Sequence, residues 1–584
     1  MTNPESLDPA LAELGDRLRA AMASAGLPST DPGFERPRQA EHGDWASTVA
    51  LRLSKEARRP PRDIAAALVD GLDLPALVES VEVAGPGFLN FRFAHAWHEQ
   101  LVRRVLADGD SFGRFETDEP ETVNLEFVSA NPTGPLHMGA GRWAATGDSI
   151  AALLEAEGHR VVREYYVNDA GEQVRRFGES VVLAHRGLEL TDLHYRGAYV
   201  AELAAELAAQ HGPVLFEPRP GDAAAPEPHA VGAGHNGATL VDDEVEQAAA
   251  DPRVEPGVAA RVGPLAVAAM RTHIEQTLHG MSVDYDVWFS EQSLHDSGAI
   301  VTAVDQLRDA GHTYEQDGAL FLRTADKGDD KDRVLVRSDG RPTYFAADCA
   351  YILDKWSRSD RLLYLLGSDH HGYVARLHAV AECLAIPRDS VEVRIGQLVN
   401  LMRDGEPVRM SKRAGELITL DEVLEDVGVD VARYHFLRQG LDTQVDFVLS
   451  VVSEQSMENP VYYVQYAHAR IASLVRTADE RGFDPGKGDQ ADLSMLTHEA
   501  ELALLSAMGR LPQTVAEAAD LRATQRLARY AEDLAGTFHR FYTECRVLVD
   551  DQDLARARYW LARAAKQVLA NALALLRVSA PEHM

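Results

Sequence analysis

The part of the sequence that most restricts the fold is a strand-like run that passes through a Gly/Pro-rich loop into a helical pattern. Val123 to Val128 is apolar, and Arg142 to Glu157 repeats apolar residues with the period of an amphipathic helix that ends at Gly158. The loop between them reads Pro132-Thr133-Gly134-Pro135-Leu136-His137-Met138-Gly139-Ala140. Backbone N–H groups at a helix N-terminus lack partners within the helix and carry partial positive charge. The loop therefore predicts a site for an anion such as phosphate.

Further strand-like runs alternate with helical patterns across residues 119–400. Val161 to Val167 and Arg361 to Leu366 are two of them. Alternation of this kind predicts an α/β domain with a doubly wound parallel sheet and ligands at the carboxyl ends of its strands. Within this domain, the Pro-, Ala-, Gly- and Glu-rich stretch at 214–257 predicts an inserted surface excursion that is partly mobile.

Three other segments flank the parallel-sheet domain. Residues 1–118 combine helical periodicity with a strand pair, Val81 to Val83 and Phe88 to Phe93, and predict a small α/β domain. Residues 401–449 hold a basic loop between ordered elements. Residues 450–584 contain long apolar-periodic runs with little Gly or Pro, which predicts a helical bundle. A chain of 584 residues is long enough for roughly three or four domains.

The composition is that of a soluble globular protein, with 45% hydrophobic and 26% charged residues. No apolar run approaches the roughly 20 residues that a membrane helix requires, and the N-terminus lacks the basic start and apolar core of a signal peptide. These features predict a cytoplasmic protein without a membrane segment. Cys349, Cys383 and Cys545 stand singly, without the spacing of a zinc site or a disulfide framework. The net charge of -33 argues against a nucleic-acid surface over the whole chain but leaves a local one open.

A second motif, Arg409-Met410-Ser411-Lys412-Arg413, is basic and lies far from the first in sequence. The strand-like run Gln397 to Met402 precedes it, and a capping-box pattern from Thr419 to Glu422 follows it. A solvated basic loop is the ordinary explanation of such a cluster. Held between two ordered elements, however, the loop is well placed to close over phosphates. With His137 in the first motif, it suggests a site that uses ATP to adenylate a carboxylate.

The two motifs resemble the HIGH and KMSKS signatures of class I aminoacyl-tRNA synthetases. Four further segments narrow the resemblance to the arginyl-tRNA synthetases: Glu126-Phe127-Val128-Ser129-Ala130-Asn131-Pro132-Thr133-Gly134-Pro135, Arg163-Glu164-Tyr165-Tyr166-Val167-Asn168-Asp169, Gly367-Ser368-Asp369-His370-His371-Gly372-Tyr373 and Ser579-Ala580-Pro581-Glu582. The similarity extends over nearly the whole chain. The sequence departs from the signatures at Ala140, where the first ends in His, and at Arg409 and Arg413.

The resemblance implies a Rossmann-like catalytic domain that forms arginyl-adenylate from ATP and transfers the arginine to tRNA(Arg). It implies catalytic roles for His137, Arg409, Ser411 and Lys412, and ATP contacts from Pro135, Gly139, Ala140 and Met410. Mg²⁺ would accompany the ATP. The run Asp369-His370-His371 could instead hold a metal, but no further Cys or His lies nearby at a metal-site spacing, so no metal site is expected in the protein itself.

Selection of L-arginine makes a separate demand, because a planar guanidinium requires carboxylates that accept hydrogen bonds in a fixed fork. By resemblance, Glu126 and Asp348 fill that role. Asn131 would hold the α-amino or carboxyl end, Tyr344 would contact the side chain, and His370 lies near the same pocket. The alternative for Glu126 and Asp348 is an internal salt bridge to an arginine that stabilises the fold.

By resemblance, the C-terminal segment binds the anticodon, with Tyr463 and Gln465 as candidate contacts, and Asn90 touches the tRNA elbow. Aromatic and amide groups suit single-stranded loops, although packing inside the bundle explains most of these residues equally well. A monomer and tRNA-dependent activation of arginine are expected from the family. The alternative function is a non-translating paralogue that binds tRNA or activates arginine for a biosynthetic pathway, which Ala140 motivates. An adenylate-forming enzyme with no RNA partner conflicts with the two flanking domains, which resemble RNA-binding ones.

Overall fold

The protein is described here by a computed structural model that covers residues 4–37, 39–223, 250–403, 406–407, 418–452, 454 and 456–584, with the backbone alone at 40, 369, 403, 406, 407 and 450. The second motif, with the predicted site residues Arg409, Met410, Ser411 and Lys412, lies outside the described residues, as do residues 224–249 of the predicted excursion. The chain forms two compact units. The first consists of Met1–Thr117, Ala156–Gly158 and Ser456–Met584, and the second of Asp118–Glu155 and His159–Gln455.

The N-terminal part of the first unit is a four-stranded antiparallel sheet with helices. In chain order its elements are α1 (Pro9–Ser24), β1 (Phe34–Glu35), β2 (Trp45–Ser47), α2 (Val49–Ala57), α3 (Pro61–Gly71), β3 (Val78–Ala84), β4 (Phe88–Phe93) and α4 (His95–Asp108), with the strands in the order β1-β2-β4-β3. The predicted strand pair forms, with Val81 opposite Phe91. Gly87 closes its turn at φ +139, where a Cβ would lie 2.8 Å from the backbone of Pro61, so only glycine fits without movement.

The second unit is built on a five-stranded, wholly parallel sheet of order β12-β11-β5-β6-β7. Its first half contains β5 (Thr122–Glu126), α5 (Met138–Ala156), β6 (Arg160–Val167), α6 (Glu172–His185), α7 (Ala198–His211), α8 (Pro256–Gly280), β7 (Val287–Ser290), α9 (Glu291–Asp296) and α10 (Ala299–Asp309). An antiparallel insertion follows, made of β8 (Thr313–Gln316), β9 (Ala319–Leu322) and β10 (Arg333–Val336), and then come α11 (Tyr344–Trp356), β11 (Arg361–Gly367), α12 (His371–Cys383) and β12 (Val391–Gly396).

The strand order reverses at β5, which lies between β6 and β11. The chain proceeds from β5 to β6 and β7 on one side, whereas β11 and β12 extend the sheet on the other. Loops that leave the carboxyl ends of β5 and β11 therefore diverge and open a crevice, which is where doubly wound sheets bind ligands. The predicted doubly wound parallel sheet is confirmed.

A small third sheet completes the second unit, with β13 (Val399–Arg403) between β14 (Glu406–Pro407) and β15 (Val445–Val448); α13 (Leu420–Val427), α14 (Val429–Leu437) and α15 (Leu449–Val452) accompany it. The predicted capping box begins α13. Thr419 Oγ1 accepts from the Glu422 N–H at 3.2 Å, and Glu422 Oε2 accepts from the Thr419 N–H at 2.7 Å.

The C-terminal part of the first unit is the predicted helical bundle, formed by α16 (Pro460–Glu480), α17 (Glu499–Met508), α18 (Leu511–Leu521), α19 (Thr524–Glu544) and α20 (Gln552–Leu575). Polar contacts join it to the N-terminal part. The amide nitrogen of Asn571 donates to the carbonyls of Gly109 and Phe112, each at 2.9 Å. Trp97 and Leu101 of α4 also lie close to Gly509. Among the helices that the structure describes, none is long and apolar enough to cross a membrane.

Candidate active site

The loop that follows β5 has an unusual backbone conformation. Val128 and Ser129 have φ values of +68° and +38°, and a β-branched residue rarely adopts such a conformation. Hydrogen bonds from the sheet hold the loop: Tyr165 Oη donates to the Ala130 carbonyl at 2.7 Å, and the Tyr166 N–H donates to Ser129 Oγ at 3.1 Å. Backbone strain that the surroundings enforce in this way is typical of functional sites.

His137 immediately precedes α5, and its ring folds back over the first turn. The Gly139 N–H donates to His137 Nδ1 at 3.1 Å, so Nδ1 is an acceptor and a neutral ring carries its proton on Nε2. A Cβ at residue 139 would lie 2.9 Å from this ring, which explains the glycine. His137 can therefore present an N–H donor beside the N-terminus of α5, where an anion is favoured.

Three hydrogen bonds fix the position of α5 within the second unit. The carbonyl of Leu136 accepts from the Leu420 N–H at 2.8 Å, which joins the first-motif loop to the start of α13. The fully buried Arg142 donates to the carbonyls of Gln397 at 2.8 Å and Gly440 at 2.7 Å, and burial lowers its pKa to about 10. The first-motif helix is thus attached to both ordered segments that flank the second motif.

Glu126, at the end of β5, is buried and already has a counter-ion. Its Oε2 accepts from Lys355 Nζ at 2.6 Å and from Tyr351 Oη at 3.1 Å, and its Oε1 accepts from Ser129 Oγ at 3.1 Å. The internal salt bridge that the sequence left open as an alternative therefore exists, although with a lysine rather than an arginine. Lys355 already offsets the negative charge of Glu126, so Glu126 is less suited than predicted to pair with a guanidinium alongside Asp348.

Asp348 and Glu291 form a pair of buried carboxylates. Asp348 of α11 is 5% exposed and Glu291, the first residue of α9, is 2% exposed. Burial raises the pKa of Glu291 well above its usual range, and the charges of Asp348 and Asp169 raise it further. Within the described residues, Glu291 Oε2 has no hydrogen-bond partner. Two buried acidic groups that repel each other form a site that a cation would stabilise.

Glu291 was not among the residues predicted from the sequence. The signal that could have found it is its position directly after β7, because the carboxyl ends of parallel strands face the ligand crevice. Burial raises the pKa of Tyr364, and the charges of Glu126, Glu164 and Asp348 raise it further, so these carboxylates lie in the neighbourhood of the same tyrosine.

The remaining predicted pocket residues lie around these groups. Asn131 Oδ1 accepts from Asn168 Nδ2 at 3.2 Å, and the half-buried Tyr344 begins α11. His370 is buried and follows β11. Together with Tyr373, it lines a cavity of ≈ 520 Å³ that the antiparallel insertion closes; the other lining residues are Gly328, Asp329, Asp330, Lys331, Arg333, Gly372, Ala375 and Arg376.

Comparison with known proteins identifies the family. Three family models match in succession: the arginyl-tRNA synthetase N-terminal domain at residues 12–93, the catalytic domain of class I (R) tRNA synthetases at 101–187 and 268–461, and the DALR anticodon-binding domain at 464–584. An arginine–tRNA ligase from Frankia alni is 46% identical over 590 residues, which covers all of both chains. The chain belongs to the arginyl-tRNA synthetase family.

Solved structures of arginyl-tRNA synthetases share the fold. The enzyme from Thermus thermophilus matches with a TM-score of 0.75 and 25% identity, over 98% of this chain and all of that one. The enzyme from Plasmodium falciparum matches with a TM-score of 0.69 over 98% of this chain and 99% of that one, but at 14% identity it shows the fold alone.

The departure from the family signature at residue 140 lies in a packed position. Ala140 is 3% exposed, in the first turn of α5. A small side chain fits this buried position, and the neighbouring His137 is half-buried. Pro135 is also buried, in the same loop.

The candidate tRNA contacts lie in the first unit. Asn90 is half-buried on β4, and the half-buried ring of Tyr463 on α16 packs edge-on against His539 at 4.9 Å. Gln465 is different, because its side chain is buried and its amide nitrogen donates to the Ser579 carbonyl at 3.0 Å and to Ser579 Oγ at 3.2 Å. These contacts favour a packing role for Gln465 in the C-terminal segment over the predicted contact with tRNA.

Proposed function

We propose that this chain is an arginine–tRNA ligase that activates L-arginine with ATP and transfers it to tRNA(Arg). The buried pair Asp348 and Glu291 is the observation that carries the choice of amino acid. A guanidinium between them would donate hydrogen bonds to both carboxylates, and its positive charge would offset the cost of burying them. A smaller uncharged amino acid would bring no positive charge to offset the two carboxylates, which is a large penalty.

The first reaction is attack of the arginine carboxylate oxygen on the α-phosphorus of ATP. The bond from that phosphorus to the bridging oxygen breaks, and pyrophosphate leaves. Since both reactants are negative, catalysis depends on positioning and on stabilising charge on the transferring group. His137 Nε2 would donate to a phosphate oxygen, with Mg²⁺ entering on ATP. The motif suggests that Lys412, Ser411 and Arg409 close over the phosphates, with Pro135, Gly139, Ala140 and Met410 along the nucleotide.

The position of His137 orients the amino acid. The arginine carboxylate has to reach the phosphate beside α5, so the α-amino end would lie at the loop after β5, near Glu126 and Asn131. The side chain would extend past Tyr344 towards Asp348 and Glu291, with His370 at the edge of the pocket. Glu126, whose charge Lys355 offsets, then suits the α-ammonium better than the guanidinium.

The second reaction transfers arginine from the adenylate to a terminal ribose hydroxyl of tRNA, with AMP as leaving group. Tyr463 on the bundle and Asn90 on the N-terminal sheet are the proposed contacts to the anticodon and the elbow. We propose a cytoplasmic monomer, which sedimentation of the purified protein with and without tRNA can check. The departure at Ala140, which motivated a non-translating paralogue, falls at a packed position in the first turn of α5.

The test is aminoacylation of total tRNA by the purified protein with ATP, Mg²⁺ and each common amino acid in turn. Charging with arginine alone is expected. Asp348→Asn should charge at a small fraction of the wild-type rate, while Asp296→Asn, which changes an exposed carboxylate on α9, should charge normally. Charging with another amino acid, or none while tRNA still binds, would contradict the proposal.

A further inference from the structure

Lys355 is a buried cation that none of the predicted roles uses. Its side chain, on α11, is fully buried, with Nζ 2.6 Å from Glu126 Oε2. The ammonium also lies 3.8 Å from the ring centre of Tyr364 and 4.8 Å from that of Tyr351. An ammonium so far from water is tolerated only when a charge partner and favourable dipoles surround it.

The ion pair belongs to a balanced network. Tyr351 Oη donates to Glu126 Oε2 at 3.1 Å and lies 2.8 Å from Glu164 Oε1. Glu164 is fully buried and accepts from Arg358 Nη2 at 2.7 Å and from Asn124 Nδ2 at 2.6 Å. Two carboxylates, Glu126 and Glu164, thus face two cations, Lys355 and Arg358. The network directs the Oε2 edge of Glu126 towards α11.

The helix geometry connects this network to the substrate pocket. Asp348 and Lys355 are seven residues apart, so they lie on the same face of α11, about two turns or 10 Å apart. One helix therefore carries both the proposed guanidinium ligand and the cation that fixes Glu126.

We propose that Lys355 is a positioning residue of the arginine site, which holds Glu126 ionised and oriented for the α-ammonium group of the substrate. The inference rests on the proposed function. Lys355 is itself too deeply buried to meet the substrate, so its effect passes through Glu126. Without Lys355, Glu126 would lie among buried groups of mainly negative or neutral character and would take up a proton more readily.

Several groups around Glu126 enter any dependence on pH. The charged ones are Lys355 of α11, which pairs with Glu126, and Asp348 of α11, Glu164 of β6 and Arg358, whose charges act on the same tyrosine, Tyr364, as that of Glu126. Burial raises the pKa of the surrounding tyrosines above the ordinary value of 10, so they stay neutral over the range of interest; they are Tyr166, Tyr285, Tyr351, Tyr364 and Tyr373.

The experiment measures arginine binding by calorimetry from about pH 6 to about pH 8.5 for wild type and Lys355→Met. The variant should bind about tenfold or more weakly near neutral pH, and the difference should narrow as the pH rises and Glu126 loses its proton. The matched control is Lys566→Met, which removes a partly exposed lysine whose Nζ is also 2.6 Å from a glutamate, Glu582. Its profile should follow wild type.

If Lys355 had only a structural role, Lys355→Met would be less stable than wild type, but its arginine affinity would change with pH in parallel with that of wild type. That result would overturn the inference. If Lys355→Met does not fold, the double variant Lys355→Met/Glu126→Gln removes both charges together and should fold, yet bind arginine weakly at every pH. Wild-type affinity in the double variant would also overturn the inference. A wild-type protein that binds no arginine would instead overturn the proposed function.

Discussion

Replacing Glu291 by glutamine should have opposite effects on the ligand-free protein and on arginine binding. The buried carboxyl group has a raised pKa because of burial and the nearby Asp348, so its charge opposes folding at neutral pH. Glutamine removes that charge with little change of shape. The variant should therefore be more stable without arginine, by about 1 kcal/mol.

The pH dependence of this stability difference has a definite sign. Since the folded-state pKa of Glu291 lies above its unfolded value, the folded protein binds this proton more tightly, and the carboxyl group costs stability as the pH rises above about 4.3, the unfolded value. Glutamine does not titrate. Wild type and variant should thus be equally stable near pH 4, with the variant gaining its advantage as the pH increases.

When arginine is bound, wild type should be more stable than Glu291→Gln, which reverses their order without arginine. Loss of one charge-assisted hydrogen bond to the guanidinium costs about 1.5 to 3 kcal/mol, which is about 10- to 150-fold in affinity. Thermal unfolding with and without saturating arginine, together with calorimetric titration, measures both effects. Asp296→Asn on the same helix is the control. A Glu291→Gln variant that is less stable without arginine, or that binds arginine as tightly as wild type, would refute the reasoning.

Three further changes test other parts of the structure. His137→Ala should lower the rate of arginine-dependent pyrophosphate exchange, measured with tRNA present, by about 100-fold with little change in arginine affinity, because the ring acts on the transferring phosphate; exchange and calorimetry distinguish the two. Gln465→Ala should lower the free energy of unfolding, measured in urea, by about 1 to 2 kcal/mol through loss of the bonds to Ser579, while filter binding shows tRNA affinity to be retained. Thr419→Ala removes the capping box of α13 and should destabilise the second unit by about 1 kcal/mol, measured by hydrogen exchange in α13, with Thr272→Ala as an exposed control.

The features that the sequence predicted correctly are local ones. The strand of β5, the paired strands β3 and β4 and the capping box at Thr419 each depend on residues within a few positions of one another. The same holds for the alternation of strands and helices, which led to the doubly wound sheet. Neighbouring residues decide these features, so a pattern in the sequence is enough to predict them.

The features that the sequence missed depend on partners far along the chain. Lys355 lies 229 residues from Glu126, and Ser579 lies 114 residues from Gln465. From the sequence, Glu291 is an ordinary acidic residue in the first turn of a helix. Only the folded structure shows that Asp348 lies near it. Burial and pairing of this kind follow from tertiary packing, which local periodicity does not encode.

The bond between Asn571 and Gly109 spans 462 residues, which has a consequence for synthesis. At about 5 to 20 residues per second, a ribosome needs roughly 20 to 90 seconds to make the 462 residues that separate Gly109 from Asn571. During that interval the surface of α4 that carries Trp97 and Leu101 lacks the helices that later cover it. The nascent chain must therefore keep an apolar surface from aggregating until its last helices emerge, and newly made protein should depend on chaperones more than its finished stability indicates.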